Sequence, residues 1–349
     1  MTPLVLILFV VGVGLFVYNI ARTVFRAPKR SLTATAILAA LAWLSLTVTA
    51  GLSIVAAKCS GSGLDAGPTA EAANGWSGAV HALGAFFLRF DTISTMHAHA
   101  HLGVVGFFTL LIVGVSYKLI PMFTLSEVRS ARRAAASVVL LNLGLAGTFL
   151  AVLLRSSWKP VFAVVIILAL GFYAVELIAI LRARRRRALD WGIKTFLTAI
   201  WLAVPLSVIA LILSWPGLPA NQLTGRLENL YGFLGLVGMV SLAIIGMLYK
   251  IVPFLVWYGT YSRQAGLFKV PPLADLYSER LQKVGYGLYL VGLVLVSCGI
   301  LASQGGWVRC GGALLTTAVL SLVLNVGVML NHFFHPRLLP LTAANSSRL

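Results

Sequence analysis

The sequence predicts an all-α polytopic membrane bundle of about nine transmembrane helices with an internal repeat. Three observations carry this. Of the 349 residues, 59% are hydrophobic and 10% charged, with a mean hydropathy of +0.95, a balance that soluble domains do not have. The apolar residues gather into nine runs of the roughly 20 residues that a bilayer crossing needs. The third and seventh runs share a spaced pattern of glycine, tyrosine, lysine and proline.

The runs lie near residues 3–21, 33–57, 95–122, 134–154, 160–181, 192–214, 228–258, 284–304 and 308–333. Backbone groups find no water in the bilayer core, so such runs are helices rather than open strands. The first run lacks a basic leading segment and is followed by arginines instead of a small-residue cleavage site. It is expected as a retained helix, not a signal peptide. Basic residues follow the odd-numbered runs: Arg22, Arg26, Lys29 and Arg30; Arg129, Arg132 and Arg133; Arg182 with Arg184 to Arg187; Arg263, Lys269, Arg280 and Lys283. The net charge of +18 is thus a topology signal, not a nucleic-acid footprint. The positive-inside rule puts the N-terminus outside and the C-terminus in the cytoplasm, and a bacterial inner (plasma) membrane is the expected location. The arginine run 182–187 reads as a topology anchor, with lipid headgroup binding as the alternative.

Residues 1–349 are expected to form a single transmembrane domain. The connection 58–93 is the longest outer loop; it begins small and Gly/Pro-rich, and its second part suits a short interfacial helix. The segment 259–283, with Pro271 and Pro272, is expected as an ordered cytoplasmic loop. Cys59, Cys298 and Cys310 show no CxxC spacing; Cys59 and Cys310 both fall toward the outer face, so isolated thiols and a disulfide are both open.

The internal repeat emerges when the third and seventh runs are laid together at one constant offset. Gly103, Gly106, Gly114, Tyr117, Lys118 and Pro121 meet Gly235, Gly238, Gly246, Tyr249, Lys250 and Pro253. Small residues on one stripe let a neighbouring helix or a flat macrocycle approach the backbone. The lysines are placed to snorkel to the headgroups, and the prolines to mark helix exits or kinks. At the same offset His97, His99 and His101 meet Asn229, Tyr231 and Phe233, so the histidines belong to the third span alone.

Four of the six histidines, His81, His97, His99 and His101, fall between residues 81 and 101. Imidazoles at the head of an apolar helix are costly, and imidazole is a common ligand of heme iron, copper and zinc. On a helix His97 and His101 share a face and His99 points the other way; were the helix to begin only after His99, the cluster could converge on one ion. His101 is deepest, roughly 9 Å along the axis from Thr95. Three readings stay open: a heme ligand; a copper or zinc site of His81, His97, His99 and His101, with Asp91 beside it; and interface histidines bonded to water and loops. Asp91 and Arg89, with Glu228 and Arg226 at the matching mouth of the seventh span, are candidates for orienting imidazoles or contacting propionates. Glu176 is expected to pair with the arginines that follow it, or to mark a proton route. His332 and His335 read as an interfacial pair at the last helix terminus.

The stretch HAHLGVVGFFTLLIVGVSYKLIPMF resembles the second helix of heme–copper oxidase subunit I, where a heme-ligating histidine opens a helix ending in a glycine-containing, proline-marked turn. It is also similar to the NnrS family of membrane heme and copper proteins, whose H-x-H-x4-G-F stretch is met by His99, His101, Gly106 and Phe107. Gly114 and Pro121 fit that family's later glycine and proline. The likeness covers this one span and is elsewhere only that of apolar helices in general. The departure is decisive for one activity: residues 134–325 hold no histidine, so the histidines of an oxygen-reducing heme–copper centre are absent. What the resemblance implies is a membrane heme b protein, or one holding a single copper, without oxygen reduction. Cofactor contact is then expected at His101, His99, His97 and His81, beside Gly103 and Gly106. Electron transfer, nitric oxide binding and a role beside other respiratory-chain membrane subunits are the functions it implies. A copper or zinc transporter and a non-catalytic assembly subunit remain the alternatives.

The orientation is checked by single cysteines. Ser62→Cys and Ser130→Cys should react with a membrane-impermeant maleimide from opposite faces; reaction of both from one face overturns the topology.

Overall fold

The structure, a computed structural model, describes residues 3–60, 89–186 and 188–340. Among them nine helices are long and apolar enough to cross a membrane: Leu4–Phe25, Leu32–Val55, Thr92–Thr124, Ala131–Leu153, Lys159–Arg182, Trp191–Ser214, Gln222–Tyr261, Glu279–Ala302 and Gly305–Phe334. These are called spans one to nine. The protein is therefore an all-α integral membrane bundle. Large apolar side chains such as Leu143, Leu168, Val208 and Leu324 face outward, as a lipid-facing surface requires.

Side chains set where many spans begin. Ser31, Asp91, Ser130, Asp190, Asn221 and Ser278 each accept a hydrogen bond from the N–H three residues on, which satisfies a donor the first turn cannot pair itself. Span six is interrupted at Leu202, shortly before Pro205, where the missing N–H breaks the ladder. Pro121 sits one turn before the end of span three, and Leu125 closes that helix with a left-handed φ of 53°. Pro253 does not mark an exit, because span seven runs on to Tyr261.

The segment between spans seven and eight is shorter than expected from sequence: helix reaches Tyr261 and resumes at Glu279, which takes Arg280 and Lys283 into span eight. It is ordered. Phe268–Lys269 pairs antiparallel with Leu339–Pro340, a short turn of 3₁₀ helix covers Leu273–Leu276, and the Trp257 indole donates to the Pro271 carbonyl at 3.0 Å. The expected interfacial helix and His81 lie outside the described residues, as does the Cys59 side chain; Cys298 and Cys310 are free thiols.

The chain divides into two compact units, Met1–Arg187 with Ala210–Leu218, and Ala188–Ile209 with Pro219–Leu349. Span one has none of its apolar core buried inside the protein. Spans two to five, and spans six to nine apart from the end of span six, then form two sets of four with the same internal devices. In span three, Leu102–Thr109 widens into a π-helix; in span seven, Leu234–Val240 does the same at the matching position of the repeat. Each wide turn is closed by a hydroxyl that reaches back along its own helix, Thr109 to the Val104 carbonyl at 2.8 Å and Ser241 to the Leu236 carbonyl at 2.9 Å.

The repeat continues through the remaining helices, where Gly144 corresponds to Gly292 and Ile166 to Leu315. Gly144 of span four lets the Ile166 amide of span five approach to 3.0 Å from where a Cβ would stand. Gly292 of span eight does the same for the Leu315 amide of span nine at 3.1 Å. Any larger residue would push these backbones apart. Within the second unit Gly246 lies against the Gly192 carbonyl and Phe196 amide; within the first, Gly114 lies against Ala36. So spans three and seven pack on the helix before them through equivalent glycines.

A buried polar residue of the last helix braces each set. Glu176, fully buried, accepts from the Arg129 N–H at 2.5 Å, the Ser130 N–H at 2.8 Å and the Arg133 Nε at 2.8 Å. This corrects the expected pairing with the arginines after residue 182: the carboxylate turns to the start of span four instead. In the second unit Asn325 accepts from the Ser278 N–H at 2.8 Å and donates to the Ser278 carbonyl and the Tyr249 hydroxyl. Ser130 and Ser278 are the N-caps of spans four and eight, so the two braces are equivalent.

Replacing Glu176 leaves two backbone donors and a guanidinium facing a buried gap. Glu176→Ala should cost on the order of 3 kcal/mol. Arg133→Ala should cost about 1 kcal/mol or less, since that side chain is 38% exposed and the backbone bonds remain. Unfolding of the purified protein in mixed micelles measures both; equal losses would show that the ion pair, not the backbone bonds, is the brace.

Candidate functional site

The histidine segment is helical from Thr92, so the local convergence that a later helix start would allow does not form. Asp91 sets this start. Its carboxylate accepts from the Ser94 N–H at 3.1 Å and pairs with the Arg155 guanidinium at 2.7 Å, while Arg155 Nε donates to Ser94 Oγ at 3.0 Å. Arg155 lies just past the end of span four with a left-handed φ of 50°. Asp91 is thus engaged in capping and in this ion pair rather than with an imidazole. The Ser94 backbone donor, and with it the Arg155 charge, hold its carboxyl below the ordinary carboxylate range although partial desolvation opposes them. Arg226 similarly serves packing, donating to the Leu301 carbonyl at 3.0 Å, and Glu228 is exposed.

The three imidazoles take different surroundings. His101 Nδ1 lies 2.7 Å from the His97 carbonyl one turn earlier. A carbonyl oxygen only accepts, so Nδ1 carries the proton, and in the neutral ring the lone pair is on Nε2. His99 points the other way and its ring lies on Gly51 of span two, where a Cβ would stand 3.0 Å from Cε1. Its Nδ1 is buried without a hydrogen-bond partner. Between these faces Ala98 and Leu102 pack into a core with Ala50 and Leu153. All three histidines are partly buried.

The glycines divide. The space beside Gly106 is taken by Leu145 and Trp43, whose atoms come within 3.0 Å of a Cβ built there, so Gly106 serves helix packing. The Trp43 indole is itself held by Asn142 at 2.7 Å. Gly103 is looser, with Thr47 Cγ2 at 3.4 Å. His101 is the last residue before the π-helical segment, a widening often found at functional sites in helices.

Among the described residues no three of His, Cys, Asp or Glu come together to hold a metal ion. A copper or zinc centre built only from His97, His99 and His101 is therefore not assembled. The second histidine pair belongs elsewhere: His332 is buried, with Nδ1 2.8 Å from the Tyr261 hydroxyl, which also accepts from the Arg337 N–H. This corrects the reading of His332 as an interfacial residue. His335 is exposed and bonds Asn331. Lys250, expected to snorkel, instead meets Asp190 at 2.6 Å, whereas Lys118 is exposed.

No family model, no curated protein and no solved structure matches this chain. Sequence reasoning missed Arg155, which is remote from Ser94 along the chain and carries no local signal. It also missed the hydroxyls of Thr109 and Ser241; their matching positions in the repeat were the available sign.

The Asp91 bonds give a pH dependence. A carboxyl held low in the folded state contributes stability that is fully present above its unfolded value near 4 and is lost as pH falls through the lower folded value. The gap in thermal midpoint between the protein and Asp91→Asn should therefore be widest at neutral pH and narrow below about pH 3. A gap unchanged across that range would show that the carboxylate charge is not what the helix start uses.

Proposed function

We propose that the protein is a membrane heme-binding protein in which the His101 imidazole would hold the iron. The observation that carries this is the bond from His101 Nδ1 to the His97 carbonyl at 2.7 Å. It is an arrangement that suits a histidine ligand: one nitrogen anchored on a backbone carbonyl and the ring held in one tautomer, with Nε2 the basic nitrogen. A porphyrin already provides four nitrogens to iron, so one imidazole suffices, whereas a bare copper or zinc ion needs three or four protein donors. The described side chains fit the first requirement better than the second.

The likeness of His99, His101, Gly106 and Phe107 to the NnrS stretch points the same way. When bound, heme would supply one-electron chemistry and the capacity to hold a diatomic gas such as nitric oxide. The residues of this chain have their own tasks. Asp91 and Arg155 fix where the helix starts and so where His101 stands. Gly106, with Trp43 and Leu145, holds span three against its neighbours. His99, with its unpaired Nδ1, is the second candidate ligand. We place the protein in a bacterial inner membrane with its N-terminus outside; its electron partners would be other respiratory-chain membrane subunits.

Optical spectra of the purified protein, oxidised and reduced, after expression with ample heme, test this. A Soret band is expected, lost in His101→Ala and kept in His335→Ala, with both variants inserted in the membrane. A Soret band retained without His101 and lost without His335 would move the site to the other end of the bundle. Stoichiometric copper or zinc with no Soret band would replace the heme reading.

A further inference from the structure

Within the second unit a cavity opens between spans six, seven, eight and nine, lined among others by Tyr249, Gln282, Tyr286, Tyr289, Ser321 and Leu322. Gln282 is 2% exposed, and neither its Nε2 nor its Oε1 has a hydrogen-bond partner in the protein. Buried amides are ordinarily paired, so this one calls for a guest able to donate and accept at once.

The hydroxyls around it are anchored but not exhausted. Tyr249 receives the Asn325 amide, Tyr286 meets Thr198 at 2.7 Å, Tyr289 donates to the Val237 carbonyl at 2.6 Å and Ser321 donates to the Ala318 carbonyl at 2.8 Å. Each oxygen keeps an unused lone pair. None of the residues lining the cavity is Asp, Glu, Lys, Arg or His, so an ion would enter without a counter-charge.

The first unit carries other residues at the equivalent positions: Gln282 is replaced by Ala134, Gly285 by Ser137 and Leu322 by Tyr173. There the buried Tyr173 ring packs edge-on against Tyr117, with its hydroxyl 2.9 Å from Ser116, and the Tyr117 hydroxyl lies 2.7 Å from Ser137. The second unit has a shorter side chain in place of the tyrosine and adds the buried Gln282 amide.

We propose that this cavity is a binding site for water, a neutral guest of matching hydrogen-bonding pattern, held on Gln282 and the surrounding hydroxyls. The site is independent of the histidines. The Gln282 amide and several hydroxyls within it offer the two to four partners that a persistent buried water needs.

The test uses bound water as its own probe. A short X-ray pulse converts water beside a side chain into hydroxyl radical, which labels that side chain. Tyr249 and its counterpart Tyr117 are each 5% exposed, so bulk access is matched. In the intact protein in lipid nanodiscs Tyr249 should label about threefold faster than Tyr117, or more. In Gln282→Leu the Tyr249 rate should fall to that of Tyr117, which stays unchanged. Leu322→Tyr, which puts the first unit's larger side chain at a residue lining the cavity, should act alike and serves if Gln282→Leu fails to fold. Equal rates in the unaltered protein, or an excess at Tyr249 that survives both variants, would overturn the proposal.

Discussion

Backbone polar groups in the bilayer core can bond only to the protein itself, and among the described residues the wide turns and two of the helix entries are closed accordingly. The wide turns at Leu102–Thr109 and Leu234–Val240 leave a carbonyl out of register, and a hydroxyl of the same helix, Thr109 or Ser241, reaches it. The entries of spans four and eight place N–H groups near a neighbouring helix, and Glu176 or Asn325 meets them there. Where span six meets Pro205 the helix divides at Leu202. Local polar pairing comes first, and the positions of the spans follow from it.

The same requirement explains why the two sets of four helices can share a frame while differing in chemistry. The elements that recur are those that satisfy backbone or allow backbones to approach: Gly144 and Gly292, Gly114 and Gly246, Ser130 and Ser278, and the paired hydroxyls of the wide turns. Other side chains do not recur. The first set alone has His97, His99 and His101; the second alone has Gln282 beside an open space. A duplicated scaffold with asymmetric polar content is the arrangement expected when both copies retain the packing and each acquires a separate task.

At the head of span three, position and chemistry are tied through one short chain of contacts. Arg155 holds Asp91 and Ser94, Asp91 caps the helix, and further along that helix the His97 carbonyl accepts the hydrogen bond of His101 Nδ1. His99, on the opposite side, rests on Gly51. The two faces of one helix thus give His101 an anchored ring and His99 a buried, unpaired nitrogen, two environments from nearly identical sequence neighbours.

The amino-acid sequence by itself determined the class of fold, the nine spans and the relation between the third and seventh, because length, hydropathy and repeated glycine positions are local properties that a bilayer reads directly. It also singled out His97, His99 and His101, since imidazoles are rare in apolar helices. Only the tertiary structure decided which groups meet. Glu176 turns to Arg129, Ser130 and Arg133 rather than to the nearer arginines, and Lys250 turns to Asp190 rather than to the headgroups. Gly106 packs against Trp43 and Leu145, and His332 is buried on Tyr261. These partners stand far apart along the chain, on different helices. Their meeting depends on how helices rotate about their axes and slide past one another, which periodicity leaves open and close packing settles.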